Sequence, residues 1–253
     1  MIKTSYDAKS YWEKRLTEKF DLQGVGYLSY PPSYNTWLYR AKERCLKLAL
    51  QQINKMPFER IVCDIGCGTG YFTKWYKDYG VKSYYGLDIS PTSIKQLGKT
   101  YPSFHFHTWT LGQHKPAPVP KSDIVHCFDV IYHVTDDDMF GRSLTQIRTM
   151  LKPGGLALIT DLYGEADMSS SDHVKQRSIT TWKNALTKAK LKLISAIPMY
   201  TFLNRPVGYE PPIARKILFR LARYPAVLYY LDGLFLKLGL IRPSMHLLVV
   251  KKT

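Results

Sequence analysis

Ile61-Val62-Cys63-Asp64-Ile65-Gly66-Cys67-Gly68-Thr69-Gly70-Tyr71-Phe72 is an apolar run that dissolves into alternating glycines and resumes with aromatics. Such a run reads as a strand, a sharp turn and the start of a helix, because glycine tolerates the turn and lets a ligand lie against the backbone. Working outward, short apolar runs predict strands at 61–64, 83–87, 104–108, 124–128, 156–161, 192–198 and 246–250. Helical spacing fills the gaps at 71–79, 91–99, 136–151 and 180–190. Repeated β-α units feed a parallel sheet, so the expected fold is α/β, a doubly wound seven-stranded mostly parallel sheet.

Two helices, at 7–20 and 33–53, are expected ahead of this core. Between residues 212 and 240 the rhythm changes: Ile213, Ile217, Leu221, Leu228, Leu231, Leu234, Phe235 and Leu238 recur at helical spacing, with Pro225 splitting two helices. The units read as an N-terminal helical cap (1–57), a ligand-binding core (58–162), a further core helix and strand plus a basic amphipathic helical lid (163–243), and the final strand (244–253). The net charge of +16 is unevenly placed. Bases exceed acids by five before residue 58 and by twelve from residue 171, whereas residues 58–170 carry one acid in excess. A basic C-terminal third implies an anionic partner: a phosphorylated or lipid-linked substrate, a membrane surface met peripherally, or nucleic acid. The apolar run after Pro225 is short and interrupted by Asp232 and Lys237, which argues against a span.

Four cysteines in 253 residues make no disulfide framework and read as reduced, in a cytoplasmic protein. Cys63 and Cys67 lack the spacing and partners of a metal site. Residues 1–15 show no apolar signal segment.

A dinucleotide fingerprint ends Gly-x-x-Gly/Ala, whereas here the two frames end on Tyr71 and Thr73. The block instead resembles the first motif of class I S-adenosylmethionine-dependent methyltransferases, acidic-x-Gly-x-Gly-x-Gly, with Asp64, Gly66, Gly68 and Gly70 in place. The resemblance continues through Tyr85-Gly86-Leu87-Asp88-Ile89-Ser90, through the block from Ser122 to Val134, and through Leu151-Lys152-Pro153-Gly154-Gly155 into the fifth strand. It covers residues 58–162 and implies a Rossmann-like fold with S-adenosyl-L-methionine as cofactor and S-adenosyl-L-homocysteine as product. By resemblance Asp64 holds the ammonium end, Asp88 the ribose hydroxyls, and Ile89 flanks the adenine. Cys67 and Phe128 would complete the cofactor wall. Where many members carry an acid for the adenine amino group this chain has Thr110. The aromatic segments 11–15, 24–27 and 34–40 look like the leader of some bacterial small-molecule methyltransferases, which folds over the cofactor.

Transfer from a sulfonium asks chiefly for alignment of the nucleophile in a dry site. By resemblance His133 is the best-placed general base, and Asp129, Tyr132, Asp161 and Tyr163 share the expected rim. Asp136-Asp137-Asp138 reads as a helix start favoured by the dipole. The primary expectation is O- or N-methylation of a small-molecule or lipid- or sugar-linked acceptor. RNA methylation through the basic face is the alternative; Phe128-Asp129-Val130-Ile131 departs from the Asn/Asp-Pro-Pro-aromatic motif of base-amine methylation. A non-catalytic scaffold is the third reading.

Overall fold

The computed structural model describes residues 6–52, 60–203 and 220–253. All seven expected strands are present in one sheet of order β3-β2-β1-β4-β5-β9-β8. These are β1 (Ile61–Ile65), β2 (Ser83–Asp88), β3 (His105–Thr108), β4 (Ser122–Cys127), β5 (Leu151–Asp161), β8 (Leu191–Tyr200) and β9 (Met245–Lys252). Only β9 runs against the others, slotted between β5 and β8. Two short strands, β6 (Met168–Ser171) and β7 (Val174–Gln176), form a separate hairpin. Chain order turns back where β1 lies beside β4, and at such a switch point the loops leaving the two strands diverge and open a crevice.

The helices whose full span is described are α1 (Ala8–Glu18), α2 (Pro32–Gln52), α3 (Tyr71–Asp78), α4 (Pro91–Thr100), α5 (Asp137–Met150), α6 (Ile179–Lys188) and α7 (Pro225–Lys237). Their starts are written in the sequence. Asp7, Ser90, Asp136 and Ser178 each accept an amide N–H of the first turn, the preferred chemistry for those otherwise orphaned donors. Asp136 caps α5 while Asp137 and Asp138 occupy its first turn.

Because strand side chains alternate, both sheet faces are apolar and each has its own core. Val62, Tyr84, Ile124, Leu158, Leu247 and Val249 face α2 and α3. Cys63, Leu87, Val125, Ala157, Leu248 and Val250 face α5 and α6. All are buried to within a few per cent, which explains why the strands read as continuous apolar runs.

Three features depart from the sequence expectation. β5 begins at Leu151 instead of residue 156, since Leu151 already pairs with Ser122 and Lys152-Pro153-Gly154-Gly155 bulges out, with Gly154 at φ +70°, before pairing resumes between Ile124 and Leu156. The β6–β7 hairpin was unexpected because its sequence is polar and carries no alternation. The expected helical pair at 212–240 is described from residue 220 onward, and residues 204–219 lie outside the described set. Pro225 opens α7, as the split required. The described part, however, packs on α2 and β8 and contributes no residue to the cavity below, so it is not a lid there.

Asp232 is the anchor of α7: fully buried, it accepts the amide N–H of Thr201 (2.8 Å), Phe202 (2.7 Å) and Leu203 (2.9 Å). Asp232→Ala strands three amide donors in a dry interface. Urea unfolding is expected to show a loss of about 2–4 kcal/mol.

Candidate active site

A cavity of about 270 Å³ opens at the switch point, close to the lower end of the roughly 300–1,000 Å³ range of small-ligand sites. Its floor is the turn after β1. Gly66, Gly68 and Gly70 all take positive φ (78°, 54° and 83°), a conformation that favours glycine. At Gly66 a Cβ would collide with the side chain of Val130, and at Gly70 with that of Leu97 at 2.5 Å. These two glycines let the β4 loop and α4 pack against the turn, a reason the ligand-based reading of the motif did not include. Gly68 faces the cavity, with Val25 3.2 Å from its would-be Cβ.

Asp64, at the end of β1, is buried beneath the turn and accepts from the Tyr84 hydroxyl at 2.6 Å. Burial pushes its carboxyl up to about 7; the Tyr84 hydrogen bond opposes this and nearby Asp88 reinforces it. Asp88, at the end of β2, accepts the amide N–H of Gly68 at 2.8 Å and of Ser90 at 2.9 Å. Burial raises it as well, to about 6, against those amide bonds. Cys67, Ile89, Thr110 and Phe128 line the same cavity. Gly70 does not: it caps α3 against α4.

The loop after β4 supplies the opposite wall. Asp129 and His133 both reach the cavity. Asp129 sits at φ +59°, held by ion pairing to Lys42 of α2 and by Thr160, whose hydroxyl accepts its amide N–H at 2.8 Å. The 3-10 turn Ile131–His133 then sends neighbouring side chains apart. His133 goes to the cavity, whereas Tyr132 packs into the α2-side core and does not line the site. Asp161 and Tyr163 also lie away from it. Asp161 is fully buried, receiving the Trp182 indole N–H and the Leu162 amide, and Tyr163 packs on His246.

His133 Nδ1 lies 2.6 Å from the His173 carbonyl, which can only accept, so Nδ1 carries the proton and Nε2 is bare. Burial pushes this imidazole down to about 4, with the carbonyl bond opposing, so it is neutral through the physiological range. The carbonyl belongs to the β6–β7 hairpin, which gives that unexpected element a purpose.

Three groups were missed by sequence reasoning. Lys42 is buried in a helix whose neighbours are apolar, and it reads as a solvated lysine until α2 is seen to lie against Asp129. Glu13 of α1 accepts from the Thr92 amide (3.2 Å) and hydroxyl (2.7 Å) and from Ser90, clasping α1 onto α4, so that Tyr6, Trp12 and Leu16 roof the cavity. His126, the register partner of Asp64 on β4, is fully buried and lines the cavity. Its Nδ1 is 3.1 Å from the Tyr76 hydroxyl while Nε2 has no hydrogen-bond partner. Burial holds this ring neutral, pushing it down to about 3.

The electrostatic character of the lining is one-sided. It includes Asp64 and Asp88, neither in an ion pair among the described residues, Asp129, which Lys42 neutralises, and Asp136, which caps α5; among the described residues no lysine or arginine lines the cavity. The sequence itself matches the family described as "Methyltransferase domain" over residues 35–196. The chain belongs to that family.

This methyltransferase-domain protein is 27% identical over 106 residues to malonyl-[acyl-carrier protein] O-methyltransferase of Serratia marcescens, a match covering 42% of this chain and 39% of that one. It is 29% identical over 117 residues to tRNA U34 carboxymethyltransferase of Tolumonas auensis, covering 43% and 34%. The match thus spans well under two thirds of either curated relative. The crystal structure of Burkholderia thailandensis 1,6-didemethyltoxoflavin-N1-methyltransferase superposes with a TM-score of 0.57 at 13% identity, covering 100% of this chain and 93% of that one. That likeness is one of fold.

Breaking a buried pair by removing one partner costs more than deleting both. Lys42→Met is therefore expected to lower stability by about 2–4 kcal/mol in urea unfolding, with Lys42→Met/Asp129→Asn recovering at least half of it.

Proposed function

We propose that the protein transfers a methyl group from S-adenosyl-L-methionine to a small or lipid- or sugar-linked acceptor, at oxygen or nitrogen. The observation that carries the first half is the cavity's charge: the Asp64 and Asp88 carboxyls with no ion pair among the described residues, no lysine or arginine among the described lining residues, and the Gly68 amide spent on Asp88. A pyrophosphate takes free amides at such a turn, and those of Gly66, Cys67, Gly68 and Gly70 are all bonded within the protein. A cationic ligand without phosphate fits what is present.

Asp64 and His126, side by side on adjacent strands, would hold the amino-acid end: the carboxylate for the ammonium, the neutral imidazole for the carboxylate group. Asp88 keeps acceptor capacity beyond its two amide bonds and would take the ribose hydroxyls. Ile89, Thr110 and Leu111 would enclose the adenine. The bound cofactor supplies an electrophilic methyl carbon on a sulfonium. The chain's own part is to exclude water with the aromatic roof from α1 and to accept the acceptor's proton at His133 Nε2.

The acceptor half rests on enclosure. Trp12 and Tyr6 from above and Tyr39 and Tyr71 from the α2 and α3 side leave space for a small group. RNA is the second reading, favoured by the basic C-terminal third and by the relatives named tRNA U34 carboxymethyltransferase. A gel shift with unspecific RNA that weakens steeply with salt would favour it.

Isothermal titration with S-adenosylhomocysteine is expected to give a dissociation constant of about 10 μM, in the usual range for enzyme ligands, and Asp88→Ala to weaken it by about 30-fold or more. Because free Asp64 ionises only near pH 7, affinity should rise from pH 6 to pH 8. Asp64→Asn should bind weakly with a flatter pH dependence. Absence of heat with a folded wild-type protein would remove the cofactor assignment and leave the scaffold reading.

A further inference from the structure

The outer face of α7 has no role in the site above, and its chemistry is unusual for a solvent-facing surface. Tyr224, Val227, Tyr230, Leu234 and Leu238 follow one another at steps of three and four, so they form one stripe along the helix. With Leu240 just beyond, these side chains are 46% to 68% exposed. Ordinary amphipathic helices turn such a stripe inward. Here the inward face is already occupied: Leu228 and Asp232 are buried against β8 and the segment after it, and Tyr229 packs on Trp37 and beneath Arg44.

The charges around the stripe complement an anionic surface. Exposed Arg223 stands at its start and exposed Lys237 near its end, with exposed Arg220 one turn before. Between residues 220 and 243 the only acid is Asp232, and it is fully buried on the opposite face. On α2, exposed Arg40 stacks on Trp37 at 4.4 Å, and Trp37 in turn touches Tyr230, extending the aromatic and cationic patch. Cations bracketing aliphatic and tyrosine side chains match the chemistry of the headgroup boundary, where aliphatics enter the acyl region, tyrosines sit at the interface and Lys/Arg reach the phosphates. Nucleic acid would leave Val227, Leu234, Leu238 and Leu240 without partners, since aliphatic side chains neither pair with phosphate nor stack on bases. At 13 residues α7 is about 20 Å long, too short to cross a bilayer of roughly 30 Å. Among the described residues no helix is long and apolar enough to do so.

We propose that the outer face of α7, from Tyr224 to Leu240, docks the protein in the plane of an anionic lipid surface. The proposal is independent of the acceptor's identity and of the cofactor reading.

The test is co-sedimentation of the full chain with vesicles of phosphatidylglycerol and phosphatidylcholine, and with vesicles of phosphatidylcholine alone. Binding is expected to the anionic vesicles, to fall with added salt, and to be weak on the neutral ones. Val227→Glu/Leu234→Glu should weaken it by about tenfold or more, Arg223→Glu/Lys237→Glu by a similar factor, and Leu234→Trp should strengthen it. All variants should retain the wild-type circular dichroism spectrum. A wild-type protein that stays in the supernatant with anionic vesicles overturns the proposal. Undiminished binding by the Val227→Glu/Leu234→Glu variant overturns it too. A concentration-dependent dimer abolished by that variant, without vesicle binding, would assign the face to a second copy instead. RNA binding that is lost in Arg223→Glu/Lys237→Glu but kept in Val227→Glu/Leu234→Glu would assign it to nucleic acid.

Discussion

The carboxylate of Asp88 accepting the Gly68 and Ser90 amides is the constraint on which the site depends. It ties the turn after β1 to the tip of β2, and Ser90 continues the tie by capping α4. It also spends a loop amide that would otherwise face a phosphate. Burial raises this acid to about 6 against the two amide bonds that hold its charged form. With Asp64 behind it raised to about 7, the cavity prefers a cation and gains from receiving one.

The second organising device is the way the N-terminal segment is clamped over this cavity. Glu13 reaches Ser90 and Thr92 on α4, and Arg15 donates to the carbonyls of Gln23 (2.9 Å) and Gly26 (2.6 Å), folding residues 23–26 under α1. The cap is thereby hydrogen-bonded to the same α4 that Asp88 orients. On the other wall, Lys42 fixes Asp129 and the β6–β7 hairpin fixes His133 through one carbonyl. Each wall is thus set by an element far from it in sequence.

That distance explains how much could be read from the chain. The sheet was legible because its strands are buried on both faces and so read as apolar runs, and the helices because their caps are local side chains. Asp64, Gly66, Gly68 and Asp88 were legible because the turn compresses them into short blocks. Lys42, Glu13 and His126 were not, since each acquires its meaning from a partner 50 or more residues away. Tyr132 and Asp161 were expected on the rim because loop position is visible in sequence while side-chain direction is not. The 3-10 turn sends Tyr132 to the core, and the Trp182 indole draws Asp161 beneath α6. The glycines carried a second meaning as well. Two of the three also make room for Val130 and Leu97.

On the function proposed above, this turn cradles a phosphate-free cationic nucleoside, with its sugar on Asp88 and its amino-acid end between Asp64 and His126. A crystal structure of the protein grown with S-adenosylhomocysteine tests it most directly. Ribose oxygens are predicted within hydrogen-bonding distance of Asp88, and the amino group within reach of Asp64. Ligand bound elsewhere on the fold, or bound here with the sugar turned away from Asp88, would contradict it.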